Sequence, residues 1–253
     1  MRLSAATLAL SLPAFALAGC DVAAMGPDSR EHISETRRLD ATGTFTLENT
    51  NGTVTVETWS ADTVSIEAEK KGPSNRLDEI KIQIKGEGDR VDVTTYFPRR
   101  VTFGRGSAVD YRIKVPASAR VEVATTNGTV RVAGTRGGLK AETTNGSVEI
   151  GDAAGAVEAS TTNGSIRVTF SDAPDSGTQR FSTTNGSVSV TLPADARGEF
   201  TASTVNGGIS TDFALPSGAR ISRRRLEGRI GEGGARYELS TVNGGIKILK
   251  SGA

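Results

Sequence analysis

Residues 143–150 read Thr-Thr-Asn-Gly-Ser-Val-Glu-Ile, and the phrase returns at 161–168 as Thr-Thr-Asn-Gly-Ser-Ile-Arg-Val and at 183–190 as Thr-Thr-Asn-Gly-Ser-Val-Ser-Val. Asn-Gly is a strong turn signal, because both residues tolerate backbone conformations that other side chains resist. Seven of the nine asparagines precede glycine: Asn51, Asn127, Asn145, Asn163, Asn185, Asn206 and Asn243. Successive gaps are 76, 18, 18, 22, 21 and 37 residues, so the chain carries an internal repeat near 18 residues. The last gap is close to two units and is expected to hold one degenerate copy.

Aligned on asparagine, the copies show apolar columns. Six residues before it stand Phe45, Val121, Leu139, Val157, Gln179, Phe200 and Tyr237; three after it stand Val54, Val130, Val148, Ile166, Val188, Ile209 and Ile246. Positions four before and five after are also mostly apolar. Apolar residues at every second position on both sides of a turn describe strands with one buried face. Two architectures use this pattern. One is an antiparallel meander or sandwich with Asn-Gly hairpins. The other is a β-solenoid of stacked 18-residue coils. Outward charges favour the solenoid. Five before asparagine the signs run Glu122, Lys140, Glu158, Arg180, and four after it Arg131, Glu149, Arg167. In a solenoid these residues lie one strand spacing apart, about 4.8 Å, so alternating signs attract. The asparagines would then form a side-chain ladder, and the threonines two places earlier (Thr125, Thr143, Thr161, Thr183, Thr204, Thr241) a second one.

The N-terminus has a different character. Met1-Arg2 precedes an apolar stretch from Leu3 to Ala18 that ends in Leu17-Ala18-Gly19-Cys20. The stretch is too short to span a membrane and suits a signal-peptide core. The tetrapeptide resembles the bacterial lipoprotein lipobox. That resemblance implies cleavage after residue 19, lipidation of Cys20 and an address in the bacterial cell envelope. Residues 20–38 are polar and aperiodic, and are expected to be the lipidated cysteine and a flexible tether. His32 falls there as a solvated side chain.

Composition narrows the function. The chain has one Cys and one His among 253 residues. That argues against an intrachain disulfide, a Ser-His-Asp triad and a multi-histidine metal site. Without residues 1–19 it carries 29 basic and 29 acidic residues, which gives no field to steer it onto nucleic acid. Neither a phosphate loop nor a calcium loop is present. A glycan hydrolase needs paired carboxylates in a groove, and Glu122, Glu142, Glu149 and Glu158 have a plainer role as ladder charges. No catalytic, metal or cofactor residue is therefore assigned.

Residues 57–115 interrupt the repeat. Ile80 to Ile84 and Val91 to Thr95 alternate around a Gly-Glu-Gly-Asp loop, and Tyr111, Ile113 and Val115 make a further strand. This region is expected to be antiparallel β and to cap the first coil, because open solenoid ends need covering. Lys247 and Lys250 are expected to blunt the other edge. Between the last two Asn-Gly pairs lie Arg220, Arg223, Arg224, Arg225 and Arg229, a candidate site for an anionic partner.

The three Thr-Thr-Asn-Gly-Ser units, with the Phe45-to-Val56 segment, resemble the bacterial putative-adhesin family of β-strand-repeat proteins over roughly residues 40–250. That resemblance implies an all-β repeat fold and carries no catalytic residues to transfer. The sequence reading is thus a signal peptide over 1–19, a lipidated tether over 20–38, an N-terminal β cap over 39–116 and a β-solenoid over 117–253. The expected role is a non-enzymatic envelope lipoprotein, an adhesin-like binding or structural platform held by lipid on Cys20. Its expected partner is an envelope protein or an anionic envelope polymer rather than nucleic acid. An envelope-stress accessory is the second reading, and a glycan hydrolase or lyase the third.

Overall fold

The structure, a computed structural model, describes residues 28–98, 106–214 and 219–252. The expected signal segment and Cys20 lie outside the described residues. Among those residues the chain is β-structure apart from one helical turn, α1 (Ser74–Leu77).

Each coil places one strand in each of two facing sheets. In spatial order, sheet I runs through the first half of β1 (Asp28–Glu48), β3 (Thr63–Pro73), β6 (Ala108–Pro116), β2 (Val54–Trp59) and β8 (Val130–Ala133). It continues through β10 (Val148–Ala153), β12 (Ile166–Phe170), β14 (Val188–Leu192), β20 (Ile246–Lys250) and β16 (Ile209–Thr211). Sheet II begins with β4 (Lys81–Lys85), β5 (Gly88–Tyr96), the second half of β1, β7 (Arg120–Asn127) and β9 (Leu139–Asn145). It continues through β11 (Val157–Asn163), β13 (Thr178–Asn185), β19 (Ala235–Asn243), β15 (Gly198–Asn206), β18 (Arg225–Ile230) and β17 (Arg220–Ile221). Pairing between coils is parallel throughout, so the fold is a β-solenoid and not a meander. Both sheets continue without a break across residue 116.

The inward columns form the core. Val121, Leu139, Val157, Phe200 and Tyr237 from sheet II and Val130, Val148, Ile166, Val188 and Ile246 from sheet I are all buried. Gln179, the polar member of its column, is buried too, and its Oε1 accepts the Val157 N–H at 2.7 Å.

Asn-Gly is the corner where the chain passes from sheet II to sheet I. The asparagines form the expected ladder. The side-chain amide of Asn127 donates to Asn51 Oδ1, Asn145 to Asn127, Asn163 to Asn145 and Asn185 to Asn163, each at 2.8 Å. The ladder then leaves chain order. Asn243 donates to Asn185 at 2.7 Å and Asn206 to Asn243 at 2.8 Å. The last coil in sequence is therefore inserted between the two that precede it.

The corner glycines are explained by close approach more than by φ. A Cβ on Gly128, Gly146, Gly164, Gly207 or Gly244 would lie 1.9–2.0 Å from the carbonyl oxygen of the corner glycine in the adjacent coil. The threonine column differs from the expected ladder. The hydroxyls of Thr143, Thr161 and Thr183 donate to the carbonyls of Gly128, Gly146 and Gly164 at 2.9–3.0 Å instead of to one another. Buried in the corner, each of these threonines satisfies a nearby carbonyl lone pair, while the buried Thr125 hydroxyl has no hydrogen-bond partner among the described residues.

Four further expectations are corrected. The flexible tether over 20–38 ends by Asp28, where β1 begins as an edge strand of sheet I. Backbone pairing with β3 and the ion pair between Lys70 and Glu31 hold this strand, so a polar sequence without a core-facing period still forms one. His32 accordingly sits on a strand, exposed, 3.5 Å from Glu69. The 37-residue gap holds no degenerate coil; β17 and β18 form an antiparallel hairpin against β15. Lys247 is not on an edge, because β20 there lies between β14 and β16, while Lys250 lies past the end of β16 and its N–H donates to Asp212 Oδ2 at 3.2 Å. The Lys250 ammonium instead stands 5.0 Å from the ring centre of Phe213, which stacks on Phe200.

The interrupting region has the expected strands, with β4–β5 and β3–β6 antiparallel. Its outer strands also join the stack directly. β5 runs parallel to β1 and β6 parallel to β2, so the first Asn-Gly coil is sandwiched between this region and the Asn127 coil.

Candidate binding surfaces

The Arg-rich hairpin covers the edge of β15 at the far end of the stack. Arg220 registers opposite Glu227, and Arg229 opposite Glu199. Arg225 is tied down, its Nε donating to Glu227 Oε1 at 2.7 Å. The turn is fixed by Ser222, whose Oγ accepts the Arg225 N–H at 3.0 Å. The carbonyls of Arg223 and Arg224 accept N–H bonds from Ile209 and Thr204 at 3.1 and 2.9 Å. The backbone therefore holds this pair across the Asn206 corner. Both side chains are exposed, and no ion-pair partner faces them among the described residues. Glu232, the other local acid, does not reach them.

Sequence reasoning missed the apolar part of this end. Val205 is 55% exposed, Val242 40% and Ile221 64%. Val205 and Val242 lie side by side on β15 and β19. They occupy the position before asparagine, where other corners carry Thr126, Thr144, Thr162 and Thr184. That change from threonine to valine was the available signal.

At the opposite end, an open depression of about 600 Å³ lies on sheet I. Lys71 lines it and stands 2.6 Å from both Glu69 and Asp110. Hydrogen bonds donated by Lys71 to Asp110 and then to Glu69 raise the Lys71 pKa, and the bond accepted from Lys71 lowers that of Glu69. Asp110 also accepts the Thr53 N–H at 2.7 Å, so the cluster pins β3 and β6 to the start of β2. Every charge in it has a structural partner. Burial pushes the Tyr111 phenol up to about 12, against a hydrogen bond to Thr95 that lowers it. Among the described residues no three His, Cys, Asp or Glu side chains gather as a metal site. Trp59 is half-buried and donates its indole N–H to the Thr63 carbonyl at 2.8 Å.

The charge columns are in the expected register: Glu122, Lys140, Glu158 and Arg180 are successive cross-strand neighbours in sheet II. Contacts within them are mixed. Arg180 pairs with Glu238 and Arg131 with Glu149, both at 3.0 Å. Lys140 turns to Glu142 of its own strand at 3.1 Å, which raises its pKa.

The two-sheet stack with asparagine corners defines a repetitive β-solenoid class of protein. The chain belongs to the Toastrack family DUF4097, whose model matches residues 33–249. No curated protein matches it. Among solved structures it is similar to a putative cell adhesion protein from Clostridium sporogenes, at 11% identity over 87% of this chain and 100% of that one, with TM-score 0.44. A putative adhesin from Bacteroides fragilis matches at 12% identity over 87% and 98%, with TM-score 0.31. A putative lipid binding protein from Parabacteroides distasonis matches at 10% identity over 87% and 95%, with TM-score 0.33. Among the described residues no helix is long and apolar enough to cross a membrane.

Proposed function

We propose that the chain is a non-enzymatic, adhesin-like platform of the bacterial cell envelope, held by lipid on Cys20, which presents a basic tip to an anionic partner. The observation that carries this reading is the placement of Arg223 and Arg224. The described chain enters the fold at β1, at one edge of sheet I, and the Arg hairpin covers the other end of the stack. Nine strand steps separate the two edges of sheet I, roughly 43 Å at the usual strand spacing. A stack anchored at its entry would hold the tip well clear of the anchor. The tip combines free guanidiniums with Val205, Val242 and Ile221. Arginine forks suit carboxylate and phosphate groups, and the exposed aliphatic groups add apolar contact.

Two measurements test this. Membrane fractionation of the full-length chain and of Cys20→Ser is expected to show the wild type in the membrane fraction and the variant released from it. Capture from solubilised envelope, at low and high salt, is expected to retain a partner that Arg223→Ala/Arg224→Ala loses. Equal fractionation of the two forms sinks the lipid anchor. Retention no greater than that of an unrelated β-protein sinks the platform.

A further inference from the structure

The outward rows of the two sheets treat charge differently. In sheet II, Glu122, Lys140, Glu158, Arg180 and Glu238 follow one another on adjacent strands, so each cation has an acid on either side. In sheet I the matching row runs Glu67, Arg112, Thr55, Arg131, Glu149, Arg167, Ser189 and Lys247. A cation stands on every second strand, and Glu149 is the one acid between Arg112 and Lys247. All four cations are exposed. Arg131 pairs with Glu149, whereas Arg112, Arg167 and Lys247 have no ion-pair partner among the described residues.

Geometry sets the period. Two strand steps are roughly 9.6 Å, so the four cations span roughly 29 Å along the stacking axis. The interval is close to the length of two linked sugar rings. Over the central coils the flanking rows are short and hydroxylated, whereas beside Arg112 they carry Asp110, Lys114 and Glu57. Ser147, Ser165 and Ser187 lie on one side, and Thr169 and Thr191 on the other. They keep the face low around Arg167 and supply donors and acceptors to a polyhydroxyl chain, and Arg112 and Arg131 line the open depression at the other end of the row. The row has no exposed aromatic side chain, which removes the usual platform for stacking nucleic-acid bases.

We propose that the outer face of sheet I binds a linear acidic glycan laid along the solenoid axis, with one carboxylate per disaccharide matched to Arg112, Arg131, Arg167 and Lys247. This deepens the platform reading and rests on it, while using a different surface from the Arg hairpin. A glycan carboxylate displaces Glu149 from Arg131 at little cost, because an exposed ion pair contributes under about 1 kcal/mol. Duplex nucleic acid fits poorly, since its phosphates follow at about 3.4 Å along each strand.

The test is affinity electrophoresis of the full-length chain in mild detergent. The gels contain hyaluronan (one carboxylate per disaccharide), neutral dextran or single-stranded DNA. Retardation is expected in hyaluronan and not in dextran, and it should fade with salt. Arg167→Glu/Lys247→Glu should weaken it on the order of tenfold. Glu149→Gln should strengthen it severalfold, a gain that a damaged fold cannot mimic. Arg223→Ala/Arg224→Ala should leave it unchanged. No retardation by hyaluronan above dextran overturns the inference, and the platform reading then stands or falls on envelope capture alone. Loss only in the hairpin variant moves the ligand off this face and keeps the platform. Equal retardation by DNA, with the same dependence on Arg167 and Lys247, overturns the glycan assignment.

Discussion

Tyr237 lies flat on Phe200, with ring centres 4.5 Å apart and planes 4° from parallel, although the two residues belong to coils whose chain order is reversed in space. Phe170 meets the other side of Tyr237 edge-on at 6.2 Å. This stack marks where the last coil enters between its predecessors. Tyr237 also buries its hydroxyl without a hydrogen-bond partner, and burial raises its pKa. The ring and the hydroxyl therefore act in opposite directions. Tyr237→Phe is expected to leave stability unchanged or raise it by about 1 kcal/mol, since it removes an unsatisfied buried group. Tyr237→Ala is expected to cost about 3–5 kcal/mol. Urea denaturation of both variants checks the pair.

The corner at Asn206 offers a paired test of close approach. A Cβ on Gly207 would stand 1.9 Å from the Gly244 carbonyl oxygen, whereas one on Gly208 meets nothing within 4 Å. Gly207→Ala should therefore destabilise by about 1–3 kcal/mol or more, as overpacking against backbone does. Gly208→Ala should be neutral or stabilise by up to about 1 kcal/mol, through the unfolded chain. Equal effects in thermal melts would remove the stacking explanation for the corner glycines.

The asparagine ladder gives a position-dependent prediction. Asn163 donates to Asn145 and accepts from Asn185, while Asn206 makes one such bond, to Asn243. A net hydrogen bond contributes about 0.5–1.5 kcal/mol. Asn163→Ala should therefore cost about twice as much as Asn206→Ala. Equal losses in denaturant midpoints would show that each corner acts alone.

Glu69 supplies a pH dependence. Its folded pKa is lowered, mainly by the hydrogen bond from Lys71. The folded state thus binds fewer protons there than the unfolded one. The contribution is present above the ordinary carboxylate range and is lost as pH falls through that range toward the lowered folded value. Lys71 works the other way. Its raised pKa gives a contribution that is full below the usual lysine range and lost as pH rises above it. Urea midpoints from pH 7 down to pH 3 should fall less steeply for Glu69→Gln than for the wild type. An unchanged slope would mean that the Glu69–Lys71–Asp110 cluster does not hold β3 against β6.

The candidate surfaces were legible to different depths. Arg223 and Arg224 stand out as a charge run, but their freedom from partners depends on Glu227 taking Arg225 and on Glu232 lying out of reach. The cation row of sheet I was half visible. Arg131, Glu149 and Arg167 align by repeat register alone. Lys247 shares that repeat position, but its place beside Ser189 follows only from the inserted coil, and Arg112 enters through the interrupting region and joins the row only once the strand order is known.

The sequence by itself determined the coil. Apolar alternation, Asn-Gly corners and the 18-residue period are local properties, and a parallel stack is the arrangement that puts equal positions beside equal positions. It also set the ladder and its outward charges, which follow from register. Only the tertiary structure decided the order of the final coils. The Asn206 and Asn243 copies present near-identical edges, Ser-Thr-Val-Asn-Gly-Gly-Ile in both, so backbone hydrogen bonding cannot choose between stacking them in turn and inserting the second before the first. Side-chain packing can, through Tyr237 on Phe200 and Phe213 over the end coil. The strand at the start of β1 was hidden for a related reason. It lies on an edge, held by backbone pairing and ion pairs instead of buried apolar residues. It therefore leaves no hydrophobic period to read.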